Sequence, residues 1–200
     1  MEIALTKRQK AIIVGNILGD GYLEFNGFHG TRLQMKQSQK YKEYILWLYQ
    51  ELKNLCKSEP NKRRDGSQWF FGTRYINDLT KLRKQFYDED GKKRIPDNIS
   101  DILTSPLSLA VWYMDDGTLD WRPKDHYAFS LTINCFSLQD AARLSETLSS
   151  NFDIESNVQN PLCRGIRYPK LYIGKVGREK FLSLIRPYIV ECFNYKLPPL

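Results

Sequence analysis

Two segments of this chain read as copies of one motif, and this repeat constrains the possible fold more than any other feature. Each copy is an apolar stretch that ends in an aspartate followed by glycine, and the two aspartates, Asp20 and Asp116, are 96 positions apart. The helix dipole favours cations rather than carboxylates at the C-terminal end of a helix. If both stretches are helical, each predicts a positive group beside its aspartate, most simply a divalent metal ion.

The elements that surround the two aspartates also repeat in order. A capping box at residues 6–9 opens a predicted helix that runs to about Asp20, and Ser105 with Pro106 opens its counterpart. After each helix the pattern predicts two strands, a long amphipathic helix, a second hairpin and a closing helix. The strands lie near residues 22–25, 32–37, 118–121 and 128–134, the long helices span 40–55 and 137–152, the second hairpins lie around 62–74 and 156–173, and the closing helices lie near 76–86 and 177–185.

Both halves also end alike, on a lysine that precedes an apolar residue and a proline. Lys93 follows Asp20 by 73 residues, and Lys196 follows Asp116 by 80. An order repeated twice at this length indicates a diverged duplication. We therefore predict an α+β fold of two pseudo-symmetric αββαββα halves. The predicted halves are residues 1–91 and 105–200, and residues 92–104 join them.

The charge of the chain is basic and unevenly distributed. The formal net charge is +7, and residues 1–100 hold the whole excess, with 19 Lys and Arg against 12 Asp and Glu. Such a balance suits a polyanion such as nucleic acid, although many basic proteins bind none. The hydrophobic fraction of 42% is typical of a globular chain. No run of 18 apolar residues occurs, so we expect no membrane span.

The spacing of the cysteines and the composition of the first ten residues bear on the cellular compartment of the protein. Cys56, Cys135, Cys163 and Cys192 are scattered, without the spacing of a zinc site or a disulfide framework. Residues 1–10 lack the apolar core of a secretory signal. We therefore expect reduced thiols in an intracellular protein, in a mitochondrion, a chloroplast or a prokaryotic cytoplasm.

On these residues the chain resembles the single-chain LAGLIDADG homing endonucleases, and among them most closely the omega-type intron endonuclease. The resemblance spans nearly the whole chain and rests mainly on residues 109–117 and 195–198. It implies two central helices packed together and two saddle-like antiparallel sheets that bind DNA. It also implies a monomer with an internal pseudo-twofold axis that cuts both strands of a long asymmetric duplex across the minor groove.

The resemblance carries the active-site roles of the family to six positions. Asp20 and Asp116 would bind the metal ions, the backbone carbonyls of Gly19 and Asp115 would support them, and Lys93 and Lys196 would hold the hydrolytic water or stabilise developing negative charge. Mg²⁺ suits this chemistry because one or two carboxylates, phosphate oxygens and waters complete its coordination. We expect Mn²⁺ or Ca²⁺ to substitute for it in binding. For the two aspartates, the alternative to metal binding is a solvated helix end capped by glycine. For the two lysines, the alternative to a catalytic role is a basic residue that precedes a turn.

The two motifs differ where the helices would cross. Gly15 and Gly19 provide the small side chains that close helix packing favours, whereas the second motif has Val111 and Asp115 at the matching positions. We therefore expect an asymmetric crossing. Two alternatives are open for the Asp115 side chain, the helix interface or solvent.

The resemblance also nominates DNA contacts, since alternate side chains of the concave sheets would face bases and phosphates. A register shift of one residue would reverse the face of each side chain. For Trp69, as for Trp47, Trp112 and Trp121, packing is the alternative to base stacking. The nominated residues are Gln34, Lys36, Gln37, Lys62, Arg63, Arg64, Trp69 and Arg74 in the first half, and Arg122, Lys124, Ser130, Thr132, Asn134, Asn157, Gln159, Arg164, Arg167 and Lys170 in the second.

The predicted function is therefore a site-specific, Mg²⁺-dependent endonuclease that hydrolyses one phosphodiester on each strand of double-stranded DNA. One alternative is an intron-encoded RNA maturase on the same fold, with host intron RNA as its partner. A second alternative is a DNA-binding regulator that has kept the fold without the chemistry.

Overall fold

The computed structural model describes residues 4–122, 126–163 and 165–199. The α-helices are α1 (Lys7–Leu18), α2 (Lys42–Leu52), α3 (Asn77–Phe86), α4 (Ile99–Ile102), α5 (Pro106–Asp116), α6 (Leu138–Phe152) and α7 (Arg178–Ile185). The strands are β1 (Tyr22–Asn26), β2 (Gly30–Ser38), β3 (Asn61–Lys62), β4 (Gln68–Gly72), β5 (Gly117–Arg122), β6 (His126–Thr132), β7 (Asn157–Gln159), β8 (Leu162–Cys163), β9 (Ile166–Arg167) and β10 (Lys170–Ile173). The repeated αββαββα order follows from these elements, so the predicted fold class is confirmed.

Each half contributes one four-stranded antiparallel sheet. The strand order is β1-β2-β4-β3 in the first and β5-β6-β10-β7 in the second. Thus a hairpin that follows the central helix occupies one side of each sheet, and strands of the second hairpin occupy the other. The second half adds a small hairpin of β8 and β9, which the sequence patterns did not separate from its neighbours.

The helices α1 and α5 pack against each other in the centre of the molecule. Both are buried on almost every side, α1 from Ala11 to Leu18 and α5 from Leu107 to Met114. A helix that is apolar all round has this environment, whereas a surface helix would show one polar face. The crossing is close, because a Cβ on Gly15 would lie 2.6 Å from the carbonyl oxygen of Ser108 and 2.7 Å from Cβ of Val111.

The remaining long helices cover one face of each sheet and leave the other face open. On α2, the apolar stripe of Tyr44, Leu48 and Leu52 is fully buried, and on α6 the same holds for Leu144 and Leu148. Helices α2 and α3 pack on the first sheet, and α6 and α7 pack on the second. The open faces are therefore available for a partner, and the helix-covered faces form the core.

Three local predictions differ from the structure. The first helix ends at Leu18 rather than near Asp20, since Gly19 leaves the helical region with φ −103° and ψ −130°. The long helix predicted over residues 40–55 is α2 flanked by two 3₁₀ turns. The segment predicted to join the halves contains the single-turn helix α4. Within the described part of the chain, no helix combines the length and the apolar character needed to span a membrane.

Candidate active site and nucleic-acid interface

The aspartates Asp20 and Asp116 lie at adjoining C-terminal ends of the two central helices. The ends are in contact, because a Cβ on Gly19 would lie 2.5 Å from Cβ of Asp115. The Asp20 side chain is exposed, and that of Asp116 is half-buried. Burial, together with the negative charge of Asp20, raises the pKa of Asp116 to about 6. The duplicated motif thus brings two carboxylates into one electrostatic site.

The lysines Lys93 and Lys196 each bind the C-terminal end of the central helix of their own half. Lys93 Nζ donates a hydrogen bond of 2.7 Å to the carbonyl oxygen of Gly19. Lys196 Nζ donates to the carbonyl oxygens of Met114 at 2.7 Å and Tyr113 at 3.3 Å. Cations are favoured there by the helix dipole and by the unpaired carbonyls. The structure therefore brings both predicted lysines to the aspartates.

Both lysines lose solvation in this position. Burial lowers the pKa of Lys93 and of Lys196, whereas the surrounding carboxylates, Asp116 among them, oppose that shift. The two lysines in turn moderate the raised pKa of Asp116. The site is therefore a compact cluster in which the carboxylates and the ammonium groups each stabilise the charged form of the other.

The side chain of Asp115 faces the helix interface, which decides between the two alternatives left open above. Its carboxylate accepts hydrogen bonds from Tyr44 Oη at 2.8 Å, from Asn16 Nδ2 at 3.2 Å and from the backbone N–H of Asp20 at 3.2 Å. Burial, followed by the charge of Asp20, raises its pKa to about 8. The expected asymmetric crossing is also present, since Val111 and Asp115 lie against Gly15 and Gly19.

Gln37, nominated as a DNA contact, lies in the active site. Its Nε2 donates a hydrogen bond of 2.6 Å to Oδ2 of Asp20. Alternation along β2 places it on the same side as the buried Leu33 and Met35 and opposite to Gln34 and Lys36. The prediction that it faces the open side of the sheet is therefore wrong by strand parity, while a role of Gln37 in DNA binding beside Asp20 stays a prediction.

The oxygen donors of this site fit a divalent cation such as Mg²⁺. Asp20 and Asp116 offer carboxylates, and Gly19 and Asp115 offer backbone carbonyls, all of which are hard ligands. Burial, followed by the negative charge of Asp20, raises the pKa of Asp115 and of Asp116, and a bound cation would favour the charged form of both carboxylates. Among the described residues, no three His, Cys, Asp or Glu side chains form a ready cluster for a metal.

In the first sheet, strand pairing places two nominated residues on the open face. Gln34 pairs with Gly72, and Lys36 pairs with Phe70. Trp69 lies on the opposite side, where Lys42 Nζ sits 4.7 Å from its ring centroid and its Nε1 donates to Gln39 Oε1. Trp69 therefore packs, as its alternative interpretation proposed, and its prediction as a residue of the open face is wrong.

In the second sheet, the nominated strand residues share one face. Ser130 pairs with Tyr172, and Lys170 pairs with both Thr132 and Gln159. By alternation, the open face carries all of the nominated strand residues of this sheet. They are Arg122, Ser130, Thr132, Asn157, Gln159 and Lys170. The strand register expected from the sequence is thus present here, and the role of these side chains in DNA binding stays a prediction.

The other nominated residues that the structure describes lie on the short strands β3 and β9 or between strands. Lys62 is on the short edge strand β3 and pairs with Trp69, so strand parity places it on the side of Trp69, and its prediction as a residue of the open face is wrong. Arg63 forms an ion pair of 3.2 Å with Asp65, and Arg74 Nε donates to the carbonyl oxygen of Cys56 at 3.3 Å. The others are Arg64, Asn134 and Arg167, of which Arg167 donates to the carbonyl oxygen of Asn160, and Lys124 and Arg164, which lie outside the described residues.

Sequence reasoning missed a polar network on the first open face. Glu24 accepts hydrogen bonds from Arg32 Nε and from Gln34 Nε2, the latter at 2.9 Å. These two donors lower the pKa of Glu24. The alternation of β2 already puts Arg32 on the same face as Gln34 and Lys36, so strand parity applied from Leu33 could have identified it. Glu24 is recognisable only from its strand partner, since β1 pairs it with Arg32.

Comparison with known proteins adds a family and several relatives. A model of the LAGLIDADG DNA endonuclease family matches residues 10–177. The DNA endonuclease I-ChuI of Chlamydomonas applanata is 26% identical over an alignment of length 212, which covers 98% of this chain and 96% of the relative. The cytochrome b mRNA maturase bI2 of Saccharomyces cerevisiae is 29% identical over 203 residues, which cover 94% of this chain but only 46% of the maturase.

Solved structures extend this similarity to the fold. The homing endonuclease I-WcaI bound to its DNA recognition sequence aligns with a TM-score of 0.83 and 26% identity, over 98% of this chain and 88% of that one. A variant of I-DmoI, solved with its target DNA in the presence of Mg, aligns with a TM-score of 0.54 and 16% identity, over 90% and 96% of the two chains. The second likeness concerns the fold alone.

Proposed function

This chain belongs to the LAGLIDADG DNA endonuclease family, and we propose that it uses Mg²⁺ to hydrolyse one phosphodiester on each strand of a long, asymmetric DNA target. The observation that carries the proposal is the meeting of Asp20 and Asp116 at adjoining helix ends, with Lys93 and Lys196 bound to the same ends. Two strands require two hydrolytic positions, and one duplicated chain provides both. The enzyme would therefore act as a monomer.

Each residue of the cluster has a distinct role in this proposal. Asp20 and Asp116 would hold the cations, with the carbonyl oxygens of Gly19 and Asp115 as supporting ligands. A divalent cation supplies, when bound, charge neutralisation at the phosphate and a more acidic water. Lys93 and Lys196 place positive charge beside the two carboxylates, where they would orient the attacking water or stabilise charge on the phosphate.

Lys93 is bound to a carbonyl that is also a proposed metal ligand. Its ammonium and a cation cannot both occupy the same lone pair of Gly19, although a carbonyl oxygen has two. The two lone pairs would let the Gly19 carbonyl hold both groups. Lys93 would then orient the reacting water, or stabilise charge on the phosphate, from its place beside Asp20.

The two open sheet faces would bind the DNA on either side of the cluster. Gln34 and Lys36 on one face, and Thr132 and Lys170 on the other, offer amide, hydroxyl and ammonium groups at alternate strand positions, whereas Ser130 on the second face is buried. Amides can pair with adenine, whereas ammonium groups more often contact phosphate. The excess of positive charge in the first half supports a polyanionic ligand. Mn²⁺ and Ca²⁺ would substitute for Mg²⁺ in the bound complex.

The experiment that tests this function is a cleavage selection from a randomised duplex library in the presence of Mg²⁺. We expect a long, asymmetric sequence to be enriched and cut on both strands, and the cuts to disappear when EDTA replaces Mg²⁺. A library that is left uncut in both Mg²⁺ and Mn²⁺ would contradict the proposal, and would favour a DNA-binding regulator if duplex binding persisted.

A second candidate function is an RNA maturase, which the similarity to the maturase bI2 over 94% of this chain favours. Host intron RNA would then be the partner. Filter binding separates the two functions by comparing the host intron RNA with duplex DNA of the spliced junction. We expect tighter binding to the duplex. Tighter binding to the RNA, without cleavage of the duplex, would favour the maturase.

A further inference from the structure

The Asp115 carboxylate is the centre of a hydrogen-bond network that joins three helical segments. One oxygen, Oδ1, accepts from the hydroxyl of Tyr44 on α2 at 2.8 Å. The other, Oδ2, accepts from the amide of Asn16 on α1 and from the backbone N–H of Asp20, each at 3.2 Å. A carboxylate offers about four lone-pair positions, and three are directed at protein donors here. Its side chain is therefore not presented as an open metal ligand.

The bond to Asp20 replaces one that the end of α1 lacks. In a continued α-helix the N–H of Asp20 would donate to the carbonyl oxygen of Asn16. Instead, the N–H of Gly21 donates to that oxygen at 2.7 Å, while the N–H of Gly19 donates to Gly15. The N–H of Asp20 is thus released from its helix, and Asp115 accepts it from the neighbouring helix. This bond fixes the backbone from which the Asp20 carboxylate projects.

The partners of Asp115 are themselves rigid. Tyr44 and Asn16 are both fully buried, and Asn16 Nδ2 also lies 3.3 Å from the hydroxyl of Tyr44. The Tyr44 ring contacts Phe193 edge-to-face, with centroids 5.1 Å apart, and stacks on Trp47 at 5.9 Å. Packed rings and paired hydrogen bonds therefore leave the Asp115 side chain little freedom to move.

Only one of the two central helices supplies such a side chain to the other. The position of α1 that matches Asp115 is Gly19, which has no side chain, so the first helix returns no equivalent bond to Asp116. We propose that the Asp115 side chain is a positioning residue that fixes the Asp20 carboxylate, and thereby controls cleavage of one DNA strand and not the other. This inference rests on the proposed endonuclease function and adds a residue that acts on only one of its two hydrolytic positions.

Two substitutions separate positioning from charge. Asp115→Ala removes every acceptor of the network. Asp115→Asn removes the ionisable carboxyl group but keeps one carbonyl oxygen that can accept from Asn16 and from Asp20, while its amide can donate to the oxygen of Tyr44. If the side chain positions Asp20 by hydrogen bonding, Asn should restore most of what Ala loses. If its charge or metal ligation matters, Asn should fail as Ala does.

The test measures single-turnover cleavage of each strand of the selected duplex, with the two strands labelled separately. We expect Asp115→Ala to slow one strand roughly tenfold or more relative to the other, since the loss of one positioning bond is worth about that factor. Asp115→Asn should recover most of the rate that Asp115→Ala loses on that strand, since both variants keep the main-chain carbonyl of this residue and only Asn keeps a hydrogen-bond acceptor. Tyr44→Phe should slow the same strand as Ala, by a smaller factor.

A matched control is Tyr49→Phe, since Tyr49 is a buried tyrosine of the same helix whose ring packs on Phe71, away from the network. It should alter neither strand. Equal slowing of both strands by Asp115→Ala and Tyr44→Phe would overturn the proposal, as would an Asn variant as slow as Ala. If Asp115→Ala does not fold, Tyr44→Phe decides in the same way. A wild-type protein that cuts no duplex would instead refute the proposed function.

Discussion

The surroundings of Asp20 and those of Asp116 are copies of one arrangement that differ in their packing. Asp20 is exposed and accepts a hydrogen bond from Gln37, whereas Asp116 is half-buried with a pKa raised to about 6. Lys93 donates to the carbonyl directly before Asp20, whereas Lys196 donates to two carbonyls further back in its helix. The same charged groups therefore occur in both copies, but the aspartate is exposed to solvent in the first copy and half-buried in the second.

The difference arises at the helix crossing. One helix has Gly15 and Gly19, and the other fills that space with Val111 and Asp115. Two helices can pack closely when a small residue on one leaves room for a larger residue on the other, so the two motifs need not carry the same residues at the crossing. Once Asp115 occupies the interface, it also becomes available for hydrogen bonds that its counterpart Gly19 cannot make. Asymmetry of packing thus creates asymmetry around the aspartates.

The largest expected effect is that of removing either carboxylate. Asp20→Asn or Asp116→Asn should abolish double-strand cleavage and leave duplex binding in Ca²⁺ within a few-fold of wild type, because each variant loses a metal ligand and keeps the DNA-binding faces. Gel-shift and cleavage assays on the selected duplex check this prediction. If both variants retained full cleavage, the two aspartates could not be the hydrolytic positions.

The lysines test whether the two copies share a chemical role. Lys93→Met or Lys196→Met should lower the cleavage rate roughly a hundredfold, as the loss of one charged stabilising group does in other enzymes. Lys196→Met should also lower the free energy of unfolding by about 1–3 kcal/mol, because it removes the ammonium that donates to the carbonyl oxygen of Met114 at 2.7 Å.

Lys92→Met is the matched control for the lysines, since Lys92 is exposed and adjoins Lys93. Single-turnover rates and urea titrations supply the two readouts. A wild-type cleavage rate in both lysine variants would restrict these side chains to capping the helix ends.

The helix crossing makes a prediction about stability. Gly15→Ala should lower the free energy of unfolding by about 1–3 kcal/mol, because its Cβ would overlap the backbone oxygen of Ser108 and the side chain of Val111. Gly27→Ala is the control, since no atom lies within 4 Å of the Cβ added there. Urea titration measures both. Equal stability of the two variants would mean that the crossing is looser than described.

The smallest expected effect concerns the pH dependence of stability without metal. The pKa of Asp116 is raised to about 6 in the folded protein, so its contribution to stability is present at low pH and is lost as the pH rises through about 6. Asp116→Asn does not titrate. In EDTA the variant should therefore gain thermal stability relative to wild type between pH 4.5 and 7.5, by about 2 to 4 °C per kcal/mol. A difference independent of pH would contradict the raised pKa.

The duplicated fold could be predicted from the sequence because its signals are local. The capping box of Thr6 and Gln9 forms as predicted, and apolar spacing locates the buried faces of α2 and α6. The aspartates and lysines follow from the same repeat. These residues are brought together by the topology of each half, which the order of elements already contains.

The connections between halves could not be predicted in this way. Asp115 is 71 positions from Tyr44 and 95 positions from Asp20 in the sequence, and it contacts both in the structure. The spacing of residues within either motif does not predict these contacts. The side of Gln37 depends on strand parity, and a shift of one position reverses it. Trp69 was nominated for the open face for the same reason and packs on the other side.

The central claim is that Asp20 and Asp116 hold cations against the two backbones of one duplex. The most direct measurement is a Mn²⁺ titration, followed by electron paramagnetic resonance, of the protein bound to its selected duplex with non-hydrolysable linkages at the cut positions. We predict that Asp20→Asn and Asp116→Asn each weaken or remove Mn²⁺ binding, while substitution of an exposed aspartate on α4, Asp101→Asn, leaves it unchanged. Unchanged Mn²⁺ binding in both active-site variants would contradict the claim.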